Sequence, residues 1–595
     1  MRRTLILFLC SLCAPLLGQT PPRPTHKPLA FTHVTVIDVD GGPTLTDRTV
    51  LVIDNRIAAV GPAGKVDRPK DTLVVDASGK FLTPGLWDMH VHWYDKDYLP
   101  LFLANGVTGI RMMWGAPLHY QFRKGIEAGN LIGPRIVIAS AIIDGPASFW
   151  PGSVTVRTAE EARLAVDRER RAGADFIKVY SFLPRDAFFA IADESKKLGV
   201  PFAGHVPEAV SVEEASDAGQ ISMEHLIGIL EACSTREKEL LEAAQADLAD
   251  AITSGKVAFD SPRMHQLREV PLDTYDPDRA AKLFARFKKN GTWQCPTLTV
   301  NRTLGYLDDP AFRDDPRLKY MPRSIRTSWT PDAYRVMAGK KAEDYAYERR
   351  AFQKDLELVG AMNRAGVDII AGTDVLNAYC FPGFSLPDEL ELYVKAGLSP
   401  AEALRTATSN PARFLGREKE LGTVESGKLA DLVLLDANPL DNINNVRRIS
   451  AVVFNGNYYP RKKLDTILSG IEGMASRKSI GEALFHTIKS DGLDAAVKQY
   501  YDLKKNQAGA YDFGEDELNT LGYQLVGAKK FKEAIRVLQL NVEANPLSSN
   551  VYDSLAEAYM DNGDKELAIE SYKKSLQLDP ANKNAADMLK KLTAP

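Results

Sequence analysis

The sequence predicts an α/β protein in which a (β/α)₈ TIM barrel is inserted in a small β-sandwich and followed by an all-α helical-repeat domain. Three observations predict this fold. Apolar strand-like runs alternate with helical segments over residues 85–420, and two β-rich fragments, 29–84 and 421–460, flank that region. Residues 470–595 show helical patterns only. A doubly wound open sheet is the alternative for the alternating region.

The N-terminus predicts a secretory signal peptide over residues 1–19. Arg2 and Arg3 precede an apolar run at 5–17 that is too short to span a membrane as a mature helix. We therefore expect a secreted or periplasmic protein with no membrane span in the mature chain; an uncleaved anchor is the alternative. The net charge of −4 and the lack of a basic cluster argue against a nucleic-acid partner.

The two flanking fragments predict one composite β-sandwich. Residues 29–84 contain FTHVTVID, TVLVIDNRIAAVG and DTLVVDASG, separated by Asp-Asn and Gly-Pro turns. A matching piece occupies 421–460, with the runs LADLVLLDANPL and ISAVVFNGNYY. Because these pieces bracket the alternating region, we expect both ends of the chain to build the same small domain.

Eight strands are predicted in the insert. They are 86–92, 106–113, 135–140, 176–181, 201–206, 221–226, 293–300 and 367–374. The connections 227–292 and 301–366 are longer than a barrel requires. They are either functional loops or lids, or surface decoration.

Polar side chains gather where these strands end, which is where a (β/α)₈ barrel places its chemistry. Asp88, His90 and His92 alternate along the first strand and therefore share a face. Alone, the two histidines could be hydrogen-bonded core residues, and Asp88, lying deeper, is assigned a structural role. Later strand ends add Lys178, His205, His225 and Asp374.

This set of six groups indicates metal binding. Four of the nine histidines of the chain fall at strand ends. Imidazole and carboxylate ligands suit Zn²⁺, and six groups exceed the needs of one tetrahedral ion, so two divalent ions are expected. The alternative for Lys178 is a barrel-wall lysine paired with an acid such as Asp374.

The motifs TPGLWDMHVH, FIKVY, GHVP, MEHL and AGTD together resemble the amidohydrolase superfamily, in its imidazolonepropionase-like and Xaa-Pro/Xaa-Arg dipeptidase-like branch. The segments DELELYVKAGLSPAEALRTATSNPARFLG and GTVESGKLADLVLLDANPL are similar to the closing segments of that family, so the resemblance covers roughly residues 30 to 460. It implies a binuclear, metal-dependent hydrolase of C–N amide bonds.

The resemblance also implies the metal ligands: one ion would be held by His90, His92, Lys178 and Asp374, the other by Lys178, His205 and His225. Lys178 would be N6-carboxylated by CO₂ and bridge the two ions. A hydroxide bridging the metals would attack the substrate carbonyl. Asp374 would be the catalytic proton shuttle to the leaving amine.

Substrate contacts are less clearly indicated. Tyr180 lies two residues after Lys178 and should point into the barrel, where it would contact substrate or serve packing. Arg111 would capture a substrate carboxylate or form a structural salt bridge. Glu224 is expected to face away from His225. The family's basic-specific members have a Gly/His-rich loop after strand 3, whereas ASAIIDGPASFWPG has no histidine, so a pocket facing apolar or aromatic groups is favoured.

The C-terminal region shows a repeat with a period of 34. Leu521, Ala534, Ile535 and Pro546 correspond to Leu555, Ala568, Ile569 and Pro580. This pattern looks like tetratricopeptide repeats, and 480–503 would supply another helix pair. Because two repeats are few, they should pack on that pair, on the barrel or on a second subunit.

Three functions follow from these features. The first is a secreted binuclear amidohydrolase that cleaves a small dipeptide-like substrate. The second is an imidazolonepropionase-like hydrolase that opens a cyclic amide. The third is an interaction protein with an inactive barrel, because the repeats are expected to bind a protein partner or mediate self-association.

Overall fold

The computed structural model describes residues 26–150, 152–254, 261–579 and 582–593. The predicted signal peptide at 1–19 lies outside these residues. Within them, no helix combines the length and apolar character needed to cross a membrane.

Strands from both ends of the chain form one mixed eight-stranded sheet. Its strands are Leu29–Val36, Leu45–Ile53, Arg56–Pro62, Leu73–Asp76, Phe81–Pro84, Leu432–Leu435, Ile449–Phe454 and Asn457–Pro460. The two ends meet where Phe81–Pro84 pairs antiparallel with Leu432–Leu435, with Leu82 opposite Leu434. Phe31, Leu82 and Leu434 are among the buried apolar residues of its core. This composite sheet is therefore built from strands that precede and strands that follow the barrel in the sequence.

Seven parallel strands supply most of the barrel wall. They are Leu86–Val91, Val107–Met112, Arg135–Asp144, Phe176–Val179, Phe202–Gly204, Ser222–Glu224 and Trp293–Cys295. A short strand, Val154–Thr155, pairs with the end of the third. Their side chains are almost all buried, as expected for a parallel sheet covered by helices.

The eighth position is filled by the extended segment 368–375, which closes the barrel. On one side Ile370 N donates to Gln294 O at 2.9 Å. On the other, Met89 N donates to Ala371 O at 2.8 Å and Asp374 N donates to His90 O at 2.9 Å. The predicted strand 367–374 is therefore present as irregular extended backbone, and its hydrogen bonds position Asp374 beside the first strand.

The predicted strand 293–300 is too long. The strand ends at Cys295, Thr297 adopts a left-handed φ of 50°, and a helix starts at Leu298. The buried Glu389 carboxylate accepts hydrogen bonds from Leu298 N at 2.8 Å and Thr299 N at 2.7 Å. Satisfying these free N–H groups favours a helix over continued strand.

Helices cover the outside of the barrel. Between and after the strands they are Pro100–Ala104, Pro117–Glu127, Ala159–Ala172, Arg185–Leu198, Val212–Asp217, Ser385–Lys395, Pro400–Thr406 and Ser409–Phe414, with 3₁₀ turns Lys96–Tyr98 and Ile443–Arg447. The connection after the sixth strand contains Ile229–Ala232, Glu237–Ser254, Pro262–Leu267, Val270–Asp273 and Pro277–Asn290. The connection after the seventh contains Leu298–Tyr306, Pro310–Arg313, the 3₁₀ turn Pro316–Tyr320, Arg323–Ser328 and Ala342–Ala365.

The C-terminal region is helical, apart from the two-residue strands Lys478–Ser479 and Tyr511–Asp512. Its helices are Arg461–Ala475, Ile480–Ser490, Leu493–Asn506, Glu515–Gly527, Phe531–Ala544, Ser549–Asn562, Lys565–Leu578 and Lys583–Thr593. The repeats pack on the pair 480–506, since Ile480 and Tyr500 share one buried core with Leu521 and Ala534. The domain boundaries given above remain predictions.

Gly522 is where two repeat helices approach most tightly. A Cβ added to Gly522 would lie 2.6 Å from Cγ of the fully buried Leu538. Gly522→Ala is therefore expected to lower the free energy of unfolding by about 1–2 kcal/mol, because overpacking outweighs the gain in helix propensity. Gly527→Ala is the control, because its Cβ would meet nothing within 4 Å. Equal melting temperatures for the two variants, measured by circular dichroism, would refute this close packing.

Candidate metal centre and catalytic cavity

The structure brings all six predicted ligands to one end of the barrel. They lie within or directly after strands 1, 4, 5, 6 and 8, and are His90, His92, Lys178, His205, His225 and Asp374. Catalytic groups of (β/α)₈ barrels occupy this end because only the loops there vary freely without disturbing the core.

His90, His92 and Asp374 converge on one point. The two Nε2 atoms lie 3.2 Å apart, and Asp374 Oδ1 lies 3.4 Å from His90 Nε2 and 3.2 Å from His92 Nε2. Burial lowers the pKa of His90 well below its usual value, which keeps its imidazole neutral. Two nitrogen lone pairs and a carboxylate oxygen facing one another are the donor set that a divalent cation requires.

His225 joins the first group to a second one. Its Nδ1 lies 3.7 Å from Asp374 Oδ2 and is hydrogen-bonded to Thr297 Oγ1 at 2.7 Å. The His205 ring lies 4.9 Å from that of His225, centroid to centroid, and His205 Nδ1 is hydrogen-bonded to Ser181 Oγ at 2.8 Å. Because that bond occupies Nδ1, Nε2 of His205 remains for a metal.

The backbone is strained at two of these residues. His225 has a φ of 64° and Asp374 a φ of 56°, in the left-handed region that costs about 1–3 kcal/mol for residues other than glycine. At His225 this conformation ends the strand alternation, so Glu224 and His225 both reach the barrel interior. At Asp374 it turns the carboxylate toward the histidines.

Asp374 is ionised at any physiological pH. Burial alone would raise the pKa of Asp374, but the imidazoles of His225, His90 and His92 outweigh burial and hold that pKa well below its usual range. The carboxylate can therefore act both as a ligand and as a proton acceptor.

Lys178 is fully buried, and its Nζ has no hydrogen-bond partner among the described residues. Burial lowers the pKa of Lys178 to about 8, while the carboxylates of Glu224 and Asp374 oppose that shift. A buried amine without a partner is costly unless it serves another group. The orphaned Nζ among three neutral histidines therefore fits a metal centre better than the expected simple pair with Asp374.

Glu224 was predicted to face away from the site, and this is wrong. Its Oε2 accepts a hydrogen bond from His90 Nδ1 at 2.8 Å, which fixes the ring so that Nε2 points to Asp374. Sequence alternation could not reveal this, because the left-handed backbone at His225 breaks the alternation. The signal available was the unusual pair of adjacent polar residues, Glu224 and His225, at a strand end.

Of the two roles predicted for Arg111, the structure has the structural salt bridge and not the capture of a substrate carboxylate. The guanidinium is completely buried, donating from Nη2 to Glu224 Oε1 at 2.9 Å, from Nη1 to Ser222 Oγ at 2.9 Å and from Nε to Met89 O. It therefore neutralises Glu224 inside the barrel, which is the salt-bridge alternative.

Asp88 lies below the site. Its carboxylate accepts hydrogen bonds from Thr373 N at 3.0 Å and Thr373 Oγ1 at 2.6 Å. It thereby holds the residue that precedes Asp374.

A cavity of about 580 Å³ opens directly above the ligands. His92, His205, His225 and Asp374 line its floor. Its aromatic walls are Tyr94, Trp114, Phe149, Trp150, Tyr180 and Tyr334. The Tyr180 ring stacks on His205 with a centroid separation of 3.9 Å, and its hydroxyl accepts a hydrogen bond from Trp150 Nε1 at 2.7 Å. Tyr180 therefore lies where a substrate bound above the ligands would touch it.

The long connection 301–366 supplies part of the cavity wall. Asn301, Glu348 and Asp355 line the cavity from this connection. Burial, and then the Glu231 and Glu348 carboxylates, raise the pKa of Asp355 to about 8, although a hydrogen bond from Asn301 opposes the shift. The connection is thus part of the cavity rather than surface decoration.

Asp355 should make stability depend on pH. Its folded pKa lies above that of an unfolded aspartate, so the folded chain binds more protons between about pH 4 and 8, and the free energy of unfolding falls as the pH rises through that range. Asp355→Asn is expected to stabilise the chelated protein by about 1–3 kcal/mol at pH 8 and hardly at pH 4.5. Glu357→Gln on the exposed side of the same helix is the control. A gain that is equal at both pH values in thermal melts would contradict this account.

Comparison with known proteins agrees with this architecture. A model of the amidohydrolase family matches residues 315–458, and a tetratricopeptide-repeat model matches residues 549–582. Imidazolonepropionase of Shouchella clausii (strain KSM-K16) is 42% identical over 78 residues, which are 13% of this chain and only 17% of that protein.

Solved structures resemble a larger part of the chain. Bottromycin amidohydrolase superimposes with a TM-score of 0.58 at 24% identity, covering 76% of this chain and 90% of that one. A Xaa-Pro dipeptidase with bound methionine in its active site superimposes with a TM-score of 0.53 at 19% identity, covering 73% and 100%. These structures share the barrel and its accompanying sheet. Residues 315–458 thus carry an amidohydrolase family domain, and residues 549–582 carry a tetratricopeptide repeat.

Proposed function

We propose that the protein is a metal-dependent amidohydrolase that cleaves a C–N amide bond of a small, dipeptide-like substrate. The observation that carries this proposal is the convergence of His90, His92 and Asp374 within 3.4 Å of one another, below a cavity large enough for a small molecule. Concave, mostly apolar sites with a few convergent polar groups are typical of enzymes.

The ligand set fits two divalent ions. His90, His92 and Asp374 would hold one ion, and His205 and His225 the other. Lys178 is fully buried near these groups, and burial lowers the pKa of its amine to about 8; the neutral amine is the form that CO₂ would carboxylate. Zinc suits these ligands, and such ions supply Lewis acidity and acidify water.

The residues of the chain supply the remaining chemistry. Asp374, ionised and beside three imidazoles, accepts a proton from the attacking water and delivers it to the leaving nitrogen. Glu224 keeps the His90 ring oriented through Nδ1. Tyr180, stacked on His205, offers a hydroxyl near the position of a bound carbonyl oxygen.

A second candidate reaction is ring opening of a cyclic amide. The local match to imidazolonepropionase, 42% identical over 78 residues, supports this alternative. Metal-loaded protein should be assayed with a panel of dipeptides and a panel of cyclic amides. Hydrolysis of dipeptides alone supports the first reaction, hydrolysis of cyclic amides alone supports the second, and no hydrolysis in either panel refutes the proposed function.

We also propose secretion or periplasmic export through residues 1–19, and a protein partner for the repeats. Two ion pairs join the C-terminal helices to the connection after the seventh strand. Lys319 pairs with Glu472 at 3.0 Å, and Arg323 pairs with Glu482. Cross-linking of the full chain in extracts of the source cell tests for a partner. If the barrel were inactive, the purified protein would contain no metal while still binding that partner.

A further inference from the structure

The catalytic cavity carries an uneven distribution of charge. Among the described residues that line it, none is a lysine or an arginine, whereas Glu348, Asp355 and Asp374 are acidic. Asp374 belongs to the metal centre. Glu348 and Asp355 lie on the inserted helix Ala342–Ala365, where no ligand of the metal centre is found.

Asp355 is a carboxylate without a counter-ion. Its Oδ2 accepts a hydrogen bond from Asn301 Nδ2 at 3.0 Å, and no lysine or arginine of the described chain forms an ion pair with it. Glu231 and Glu348 add negative charge around it. Asp355 therefore holds a proton in the empty cavity at neutral pH, and a cation that enters would favour its ionised form.

The basic residues nearby are engaged elsewhere. Lys354, next to Asp355 in sequence, pairs with Glu357 at 2.8 Å and lies over the Tyr275 ring. Arg335 lies 3.8 Å from the ring centroid of Phe149 and does not line the cavity. A bound cation would therefore displace the proton of Asp355 and become the partner of its carboxylate.

The aromatic walls suit the same kind of ligand. Tyr94, Trp114, Trp150 and Tyr334 line the cavity, and aromatic rings attract ammonium and guanidinium groups that lie over their faces. A substrate carboxylate would meet neither a guanidinium nor an ammonium group here.

We propose that the cavity selects amides that carry a cationic amine or guanidinium group away from the scissile bond, with Asp355 as the specificity-determining residue and Glu348 assisting it. This inference rests on the proposed function for the position of the scissile bond. It also means that a free carboxylate at the distal end of the substrate is disfavoured.

Two matched series of amides test this selectivity, each with a single amide bond. The first compares N-benzoyl-1,5-diaminopentane with its neutral counterpart N-benzoylhexylamine and with the carboxylate N-benzoyl-6-aminohexanoate. The second places the charge on the acyl side and compares 6-aminohexananilide, heptananilide and pimelic acid monoanilide. Binding is measured by calorimetry on full-length Asp374→Asn protein, which removes turnover, and kcat/KM is measured on the metal-loaded wild type.

We expect the cationic member to bind about tenfold or more tightly than its neutral counterpart in at least one series, and the carboxylate to bind most weakly. Adding Asp355→Asn to the Asp374→Asn protein should abolish that preference, Glu348→Gln should weaken it, and Glu343→Gln, at an exposed position in the first turn of the same helix, should leave it unchanged. Neutral and cationic members that bind equally in both series would overturn the proposal. A preference for the carboxylate member would also overturn the proposal. The clearest such result is a preference for the carboxylate that Arg335→Gln abolishes.

The two proposals fail in different ways. If the cationic amide binds preferentially but metal-loaded wild type hydrolyses no amide, the cation site stands and the proposed reaction is wrong. If wild type hydrolyses the neutral amides as well as the cationic ones, the reaction stands and the cation site is wrong.

Discussion

Lys178→Met is expected to reduce amide hydrolysis by about a thousandfold or more while the protein stays folded. Methionine fills nearly the same volume but offers no nitrogen to carboxylate, so the proposed second ion would lose an anionic ligand. Because the substitution also removes a buried amine that has no partner, the melting temperature should stay equal or rise. Metal per chain, measured by elemental analysis, should fall from about two ions toward one or none.

Lys197→Met is the matched control. Lys197 is an exposed lysine on an outer barrel helix, and its Nζ lies 2.9 Å from Glu194 Oε1. The Lys197→Met variant should keep both its metal content and its rate of amide hydrolysis. Full metal content and full activity in Lys178→Met would show that Lys178 is not part of the metal centre.

Asp374→Asn is expected to lower kcat by about a thousandfold, with a smaller effect on KM. The amide keeps the shape of the carboxylate but loses the negative charge between His90 and His92, and it cannot accept the proton of the attacking water. The strained φ of 56° at this position is compatible with asparagine, which tolerates the left-handed region, so the fold should persist.

Asp368→Asn is its control within the same closing segment. Asp368 forms an exposed ion pair with Arg413 at 3.0 Å and lies at the other end of that segment. The Asp368→Asn substitution should leave kcat unchanged. A pH profile that is identical for Asp374→Asn and wild type, at near-normal kcat, would contradict the role of Asp374 as proton carrier.

Much of this site could be predicted because strand periodicity is a local property. Alternation along 86–92 places His90 and His92 on one face, and the (β/α)₈ pattern places later strand ends beside them. The same rule failed at Glu224, because the left-handed backbone at His225 is imposed by the turn into the following loop and by its bond to Thr297.

Other features depended on contacts between distant parts of the chain. Whether Arg111 meets substrate or Glu224 is decided by packing across the barrel, 113 residues apart in sequence. In the sequence, Asp355 is an ordinary polar position of an amphipathic helix. It becomes a cavity residue only because the insert folds over the strand ends. The early end of the strand at Cys295 likewise requires Glu389, a residue of a later helix, to bind Leu298 N and Thr299 N.

A metal centre built from these strand ends is proposed to hydrolyse amide bonds. The direct test is the rate of hydrolysis of the amide panels by one preparation of full-length protein, first stripped with a chelator and then reloaded with zinc, with metal per chain measured at each step. The account predicts no turnover in the stripped protein and recovery that saturates near two ions per chain. Turnover that survives complete removal of metal, or reloaded protein that binds zinc and hydrolyses no amide, would contradict it.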